Sequence, residues 1–246
     1  MNPENEQTFL LNDLLRNRID RSNGWIPFDL FFNTVMYEPG LGYYSSGSYK
    51  IGEGGDYTTA PEISKYFSKS IANQTMRLLD MHDSPSVIEI GAGKGTFAFE
   101  YLKALEESKT EIEHYYILEI SADLRDRQMQ LISSLPEDLR NKVTWLESLD
   151  IEPIDGIVLA NEVIDALPFK RFCIENKQVY ELGVTYSDGA FKVSKKKSSK
   201  KLRDQVEAIS VEIERKIEDG FTSEIRLDFH KWFRSISSLI RKGSMI

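Results

Sequence analysis

Short apolar strands alternate with helical segments between residues 62 and 161, and this alternation restricts the possible folds more than any other feature of the sequence. Strands are predicted at Val87–Ile90, Tyr115–Glu119, Val143–Leu146 and Ile157–Asn161. Helices are predicted over 62–80, 96–107 and 121–134. Strands that are separated by helices form βαβ units, whose parallel sheet is buried on both faces. The sequence therefore predicts an α/β fold with a doubly wound parallel sheet.

Different patterns flank this central region. Before it, two amphipathic helices are predicted over 8–20 and 27–37, and a loop rich in glycine and tyrosine covers 40–61. After it, short strands predict a small antiparallel insertion over 171–194. A helix over 202–217 that Gly220 ends follows, and then a last helix over 223–242. We therefore divide the chain into 1–80 (N-terminal helices and flap), 81–170 (α/β core), 171–220 (β-insertion and helix) and 221–246 (return helix and start of a strand).

The last residues predict a strand that has only begun. Gly243 has the character of a helix C-cap, and Ser244–Ile246 resemble the first residues of a buried strand. A native chain seldom stops while it enters its sheet, because the edge left behind would be exposed. We therefore expect the sequence to be a fragment of a longer protein.

Composition excludes several classes of protein. The 246 residues include 31 basic and 39 acidic side chains, and this acidic balance argues against nucleic acid as a partner. The single cysteine and three widely spaced histidines argue against a metal site. No apolar run approaches the roughly 20 residues of a membrane-spanning helix, so no membrane partner is expected. Acidic residues among the first 24 positions fit neither a secretory signal nor a transit peptide, which favours a cytoplasmic protein.

A glycine-rich segment, Glu89–Thr96, joins a predicted strand to a predicted helix. Such a turn lets backbone amides approach a ligand closely. The dinucleotide fingerprint would need glycine where Thr96 stands, and a P-loop would need Ser or Thr after Lys94. What remains is an acidic strand end followed by Gly91, Gly93 and Gly95, a pattern of S-adenosylmethionine (SAM) methyltransferases in which the loop meets the methionine moiety and ribose.

Two acidic residues accompany this loop. Glu119 ends the second strand, where a carboxylate can accept hydrogen bonds from both ribose hydroxyls. Dinucleotide enzymes use the same contact, so Glu119 indicates an adenosine ribose without separating SAM from NAD. The alternatives are that Glu119 is simply an exposed charge and that Glu89 holds the glycine turn by accepting its amides.

Three polar residues, Asn161, Glu162 and Asp165, follow the fourth predicted strand. Polar groups at the carboxyl end of a central strand lie in the ligand crevice of a doubly wound sheet. A carboxylate pair there could bind a cationic acceptor, above all a guanidinium, through charge-assisted hydrogen bonds. The alternative is local: Asp165 caps the following turn and Asn161 satisfies amides at the strand end.

Together these segments resemble the MidA family of class I SAM-dependent methyltransferases, which are related to the mitochondrial complex I assembly arginine methyltransferase. The resemblance runs from about residue 25 to the end. It is carried by Gly42–Tyr44, Gly55–Ser64, the Glu89–Gly95 loop, Leu118–Ser121, Ala160–Pro168 and Gly220–Ile225.

The resemblance implies a Rossmann-like methyltransferase sheet with an N-terminal helical and flap extension and a small antiparallel insertion. It implies that the flap, with Gly55, Tyr57 and Thr58, covers SAM and that Glu119 holds the ribose. It also implies that family members continue beyond Ile246 into further strands. The acceptor implied is a protein, with a subunit of a respiratory complex as one candidate.

The leading hypothesis is methyl transfer from SAM to a protein arginine. Glu162 or Asp165 would orient the guanidinium, and Tyr57 could face the sulfonium in a cation–π contact. A second hypothesis is a non-catalytic assembly module that keeps the fold to bind a partner. A third, an NAD-dependent enzyme, is disfavoured by the glycine spacing. The sequence leaves the oligomeric state open.

Overall fold

The computed structural model describes residues 3–45 and 58–246, with side chains from residue 6 onward. Gly55 and Tyr57, two of the predicted cofactor-binding residues, lie outside the described residues. The helices are α1 (Pro3–Arg21), α2 (Phe28–Tyr37), α3 (Ala60–Ile63), α4 (Lys65–Leu79), α5 (Thr96–Ser108), α6 (Ala122–Ile132), α7 (Glu137–Arg140), α8 (Lys200–Glu212) and α9 (Phe229–Ser237), with a 3-10 helix at Ile164–Ala166. The strands are β1 (Ile26–Pro27), β2 (Ser86–Ile90), β3 (His114–Leu118), β4 (Val143–Leu146), β5 (Ile154–Leu159), β6 (Lys170–Glu175), β7 (Gln178–Ser187), β8 (Ala190–Lys197), β9 (Thr222–Ile225) and β10 (Ile240–Met245).

The chain forms two compact units. One joins Met1–Ser46 to Leu167–His230, and the other joins Gly47–Ala166 to Lys231–Ile246. The division predicted from the sequence, into the four consecutive segments 1–80, 81–170, 171–220 and 221–246, stays a prediction. No helix in the described part of the chain is both long enough and apolar enough to cross a membrane.

The second unit contains a parallel sheet with the strand order β10-β5-β2-β3-β4. Every residue of the central strand β2 is buried. On one face, α4, α5 and α6 pack apolar side chains such as Leu79, Leu102 and Ile132 against the sheet. On the other face, Ile236 and Leu239 pack against Ile88 and its neighbours. Because helices cover both faces, the prediction of a doubly wound α/β sheet is confirmed.

The first unit contains an antiparallel sheet, in which β7 pairs with β1, β6 and β8, and β9 pairs with β6. Two small apolar clusters support it. One holds Leu15 and Ile19 of α1 together with Val184 of β7, and the other holds Phe172 of β6 with Leu202 of α8. The predicted antiparallel strands after residue 170 are confirmed, although β7 is far longer than the short strand expected at 178–180.

The C-terminal elements correct three predictions. The helix expected to reach residue 217 ends at Glu212. The helix expected over 223–242 does not begin until Phe229, and it ends at Ser237. Residues 222–225 instead form β9, which extends the antiparallel sheet by pairing Thr222 with Cys173 and Ile225 with Lys170. Apolar side chains of α9 recur with helical spacing, and this spacing concealed β9 and the first residues of β10, whose later residues were predicted as the start of a strand.

Gly243 does not cap a helix as predicted; it lies inside β10, which begins at Ile240 and runs parallel to β5. Its φ of 147° and the φ of 142° at its partner Gly156 are both left-handed values. A Cβ atom at Gly243 would lie 1.8 Å from the carbonyl oxygen of Gly156. Gly243 is therefore required by the close approach of β10 to β5, and Gly156 by that of β5 to β2, because a Cβ on Gly156 would lie 2.0 Å from the carbonyl oxygen of Ser86.

One further prediction needs a smaller correction. The helix expected over 62–80 is two helices, α3 and α4, with a break at Ser64, whose backbone is extended (φ −156°, ψ 129°). The Ser64 hydroxyl accepts a hydrogen bond from the Tyr66 amide at 3.2 Å and so caps α4.

Candidate functional site

The predicted site residues follow three adjacent strands of the parallel sheet. β2 pairs with β3 on one side and with β5 on the other. The glycine loop follows β2, Glu119 follows β3, and Asn161, Glu162 and Asp165 follow β5. Because parallel strands end at the same edge, the fold places all three groups at the carboxyl edge of one sheet, where ligands of doubly wound folds bind.

The loop after β2 depends on glycine at three positions. Gly91, Gly93 and Gly95 have φ values of 67°, 56° and 85°, which are left-handed values that glycine adopts without steric cost. The Gly91 amide donates to the carbonyl oxygen of Leu118 at 2.9 Å, which ties the loop to the end of β3. Gly91 is exposed and Gly93 half-buried, so their backbones are accessible to a ligand, while Gly95 is the buried N-cap of α5.

The Glu119 carboxylate is held by two donors. Its Oε1 accepts a hydrogen bond from the Ser121 amide at 2.9 Å, and its Oε2 accepts one from Gln128 Nε2 at 3.1 Å. Partial burial raises the pKa of Glu119 above its ordinary value, and the Ser121 and Gln128 hydrogen bonds oppose that rise. A carboxylate has about four lone-pair positions, so this one retains capacity for two more donors. That capacity fits the paired hydroxyls of a ribose.

Glu89 lies beneath the loop. Its side chain is buried, and its Oε2 accepts a hydrogen bond from the Tyr115 hydroxyl at 2.7 Å. Burial raises the pKa of Glu89 to about 7, with a smaller contribution from the nearby Glu119 charge, while the Tyr115 hydrogen bond lowers it. The Gly91 and Gly95 amides donate to the carbonyl oxygens of Leu118 and Ala92, so these two amides do not require Glu89. A direct contact of Glu89 with a cofactor stays a prediction.

An ion pair that the sequence did not reveal joins the glycine loop to the end of the predicted flap. Lys94 Nζ lies 3.5 Å from Glu62 Oε2, and the two side chains are only 16% and 13% exposed. Glu62 belongs to α3, directly after the exposed Thr58 and its neighbour Thr59. The end of the flap motif is thereby tethered to the loop.

The segment after β5 presents two carboxylates to solvent. Glu162 has a left-handed φ of 51°, an uncommon conformation for a residue with a Cβ atom, and its side chain is exposed. Asp165 is also exposed and lies in the 3-10 helix, while Asn161 is half-buried. Within residues 3–45 and 58–246, neither Glu162 nor Asp165 makes a side-chain hydrogen bond or ion pair. Asp165 is therefore not the local cap that the alternative interpretation required.

Val163 connects this segment to the glycine loop. Its Cγ2 atom lies 3.5 Å from the point that a Cβ on Gly91 would occupy, and its side chain packs against the Ile88 cluster. The loops after β2 and β5 are therefore in contact.

Gln128, like Lys94 and Glu62, is a residue of the site that the sequence analysis did not predict. One signal in the sequence could have indicated it. Gln128 lies four residues after Leu124 and four before Ile132 in α6, so it is a polar residue on the apolar face of that helix.

Comparisons with known proteins identify the family of the chain. Residues 70–246 match a family described as "Putative S-adenosyl-L-methionine-dependent methyltransferase". The Drosophila melanogaster homologue of protein arginine methyltransferase NDUFAF7, mitochondrial, is 31% identical over 196 residues, which are 70% of this chain and 45% of that protein. The human NDUFAF7 protein is 23% identical over 193 residues, or 69% of this chain and 43% of its own. The chain thus spans less than half the length of these relatives.

Two crystal structures from Burkholderia thailandensis have the same fold. A COG1565 superfamily member bound to S-adenosyl-homocysteine superposes with a TM-score of 0.89 at 31% identity, covering 100% of this chain and 63% of that one. An uncharacterized protein of the same superfamily gives a TM-score of 0.85 at 29% identity, covering 100% and 62%. With the family match over residues 70–246, these similarities establish that the chain belongs to the MidA family of S-adenosyl-L-methionine-dependent methyltransferases.

Proposed function

We propose that this chain binds SAM at the carboxyl edge of its parallel sheet and transfers a methyl group to an arginine of a protein. The observation that carries the proposal is the Glu119 carboxylate, which is fixed by two donors beside a glycine loop and retains lone pairs for two hydroxyls. The related Burkholderia structure that binds S-adenosyl-homocysteine supports the cofactor, and the names of the curated relatives support arginine as the acceptor.

Each part of the site has a role toward the cofactor. Gly91 and Gly93 would let the loop backbone approach the methionine moiety, and Glu119 would accept the hydrogen bonds of the ribose. Ile120, which is 76% exposed directly after Glu119, offers an apolar surface for the adenine. When bound, SAM supplies a methyl group that its sulfonium already activates.

Glu162 and Asp165 would act on the acceptor. Arginine carries a planar guanidinium with five N–H donors, and carboxylates bind it through charge-assisted hydrogen bonds. Two exposed carboxylates without partners in the described part of the chain are available for that contact. They would orient the nitrogen that forms the new N–CH3 bond as the S–CH3 bond of SAM breaks and S-adenosyl-homocysteine leaves. They would also stabilise the extra positive charge that the methylated guanidinium carries until it releases one proton to solvent.

Location and partner are further parts of the proposal. A cytoplasmic location stays a prediction, and the names of the curated relatives are mitochondrial. A subunit of a respiratory complex is the acceptor that the MidA resemblance favours. The protein acceptor itself is supported by the names of the relatives, which are protein arginine methyltransferases.

Calorimetric titration with S-adenosyl-homocysteine tests the cofactor. We expect saturable binding that Glu119→Ala weakens about 100-fold, because two hydrogen bonds to a charged group contribute roughly 1.5 kcal/mol or more each. Glu113→Ala is the matched control, since Glu113 is exposed and precedes the same strand at its opposite end. Equal affinity in the wild type and Glu119→Ala would contradict the proposal, and so would the absence of binding by the folded wild type.

Radiolabelled SAM tests the acceptor role. The double variant Glu162→Gln with Asp165→Asn removes both charges, so we expect it to bind S-adenosyl-homocysteine like the wild type but to produce no labelled methylarginine. The acceptor source is an extract of cells that lack the protein. Glu152→Gln is the control, because Glu152 is exposed just before β5 at the other end of that strand. Full labelling by the double variant would exclude a catalytic role for the two carboxylates.

A further inference from the structure

We propose that Gln128 is a positioning residue that holds the glycine loop and the Glu119 carboxylate in one fixed arrangement. This inference rests on the proposed function, since it concerns the same site. Gln128 belongs to α6, and its side chain is completely buried. A polar side chain in that position must find partners inside the protein, because an unpaired buried amide is costly.

The amide of Gln128 joins three elements that are distant in sequence. Its Nε2 donates to the carbonyl oxygen of Gly93 at 2.7 Å and to Glu119 Oε2 at 3.1 Å. Its Oε1 accepts a hydrogen bond from the indole N–H of Trp145 on β4 at 2.9 Å. One side chain thereby links the loop after β2, the residue after β3 and the side chain of a β4 residue.

Trp145 decides which way the amide points. The indole nitrogen can only donate, so the group that faces it must be the amide oxygen. The NH₂ group then faces Gly93 and Glu119, and its two hydrogens have two acceptors. Glutamine is thus the side chain whose donors and acceptor match all three partners. A carboxylate at the same place would put oxygen against the Gly93 carbonyl and the Glu119 carboxylate.

Gln128 also supports the loop by packing. A Cβ atom on Gly95 would lie 3.2 Å from Gln128 Cγ and 3.3 Å from Gln128 Cα. The backbone of Gly95 therefore rests directly on this residue. Since Gly93 and Gly95 flank Lys94, contact at both glycines fixes the middle of the loop. The expected consequence is that the loop and Glu119 are arranged for the ligand before it binds, which favours affinity.

The test is a double-mutant cycle measured by titration with S-adenosyl-homocysteine. Gln128→Met keeps the volume but removes the three hydrogen bonds, so we expect binding about 10-fold weaker or more. Gln130→Met, at an exposed position of the same helix, should bind like the wild type. In the Glu119→Ala background, Gln128→Met should weaken binding much less, because the carboxylate that Gln128 positions is already absent.

The outcomes separate this inference from a purely structural role and from failure of the proposed function. Affinity of folded Gln128→Met within about twofold of the wild type would overturn the inference while leaving the proposed function intact. An equal loss with and without Glu119 would overturn it too, since that result shows that Gln128 does not act through the Glu119 carboxylate. Absence of binding by the wild type would reject the proposed function and this inference with it. If Gln128→Met does not fold, Trp145→Phe takes its place in the cycle with the same expectation, since it removes the half-buried N–H that orients the Gln128 amide.

Discussion

The buried Glu89 carboxyl makes the stability of the protein depend on pH. Its pKa is about 7 in the folded chain, against 4.5 for an ordinary glutamate, and burial is the main cause. Between these two values the folded state keeps a proton that the unfolded state has released. The contribution of Glu89 to the free energy of unfolding therefore falls as the pH rises from the unfolded pKa to the folded pKa. At higher pH this contribution no longer changes.

The size of the effect follows from the shift. A difference of one pKa unit corresponds to roughly 1 kcal/mol or slightly more, so the full shift amounts to about 3 kcal/mol, most of which falls between roughly pH 5 and pH 8. Glu89→Gln cannot ionise, and its amide oxygen can still accept the Tyr115 hydroxyl. We expect the variant to be more stable than the wild type near pH 8, with little difference near pH 5.

Urea denaturation of both proteins at the two pH values measures this difference. All other ionisable groups are the same in the two proteins, so their contributions cancel when the two pH dependences are subtracted. Glu106→Gln, an exposed position of α5, should keep the pH dependence of the wild type. The same pH dependence in Glu89→Gln and in the wild type would show that burial of Glu89 has been misjudged.

Two further predictions concern the backbone. Gly243→Ala would place a Cβ 1.8 Å from the Gly156 carbonyl oxygen and should displace β10. Gly189→Ala is the control, because Gly189 has a φ of 76° but open space around it. It should lower the free energy of unfolding, measured by chemical denaturation, by only about 1 kcal/mol. Equal effects would contradict the packing of β10 on β5. Glu162→Gly removes the strain of a φ of 51° and should raise stability by up to about 1 kcal/mol while slowing transfer, because Asp165 remains. Lower stability would argue against strain at this residue.

The α/β core was predictable because its signals are local. Each strand from β2 to β5 is a short apolar run, and a helix with one apolar face precedes or follows it. The strand β9 was missed, and β10 was expected to begin only at Ser244 instead of Ile240, for the opposite reason. β9 alternates between exposed and half-buried residues and becomes a strand only by pairing with β6. The helical spacing of Trp232 and Ile236 then extended the predicted helix across both ends of α9.

Some residues of the site were likewise predictable from the local sequence, and others were not. Three glycines and Glu119 are read from spacing along the chain, because each follows a predicted strand directly. Gln128 has its partners 35, 9 and 17 residues away, and no pattern in α6 indicates which loop its side chain meets. The ion pair of Lys94 with Glu62 also joins separate segments. Contacts of this kind depend on the folded arrangement of the sheet edge.

A crystal structure of the chain with S-adenosyl-homocysteine tests the central claim most directly. We expect both ribose hydroxyls within about 3 Å of the Glu119 carboxylate, with the glycine loop unmoved, since Gln128 already holds both groups in place. A ligand bound away from the carboxyl edge, or a ribose that does not reach Glu119, would contradict the account.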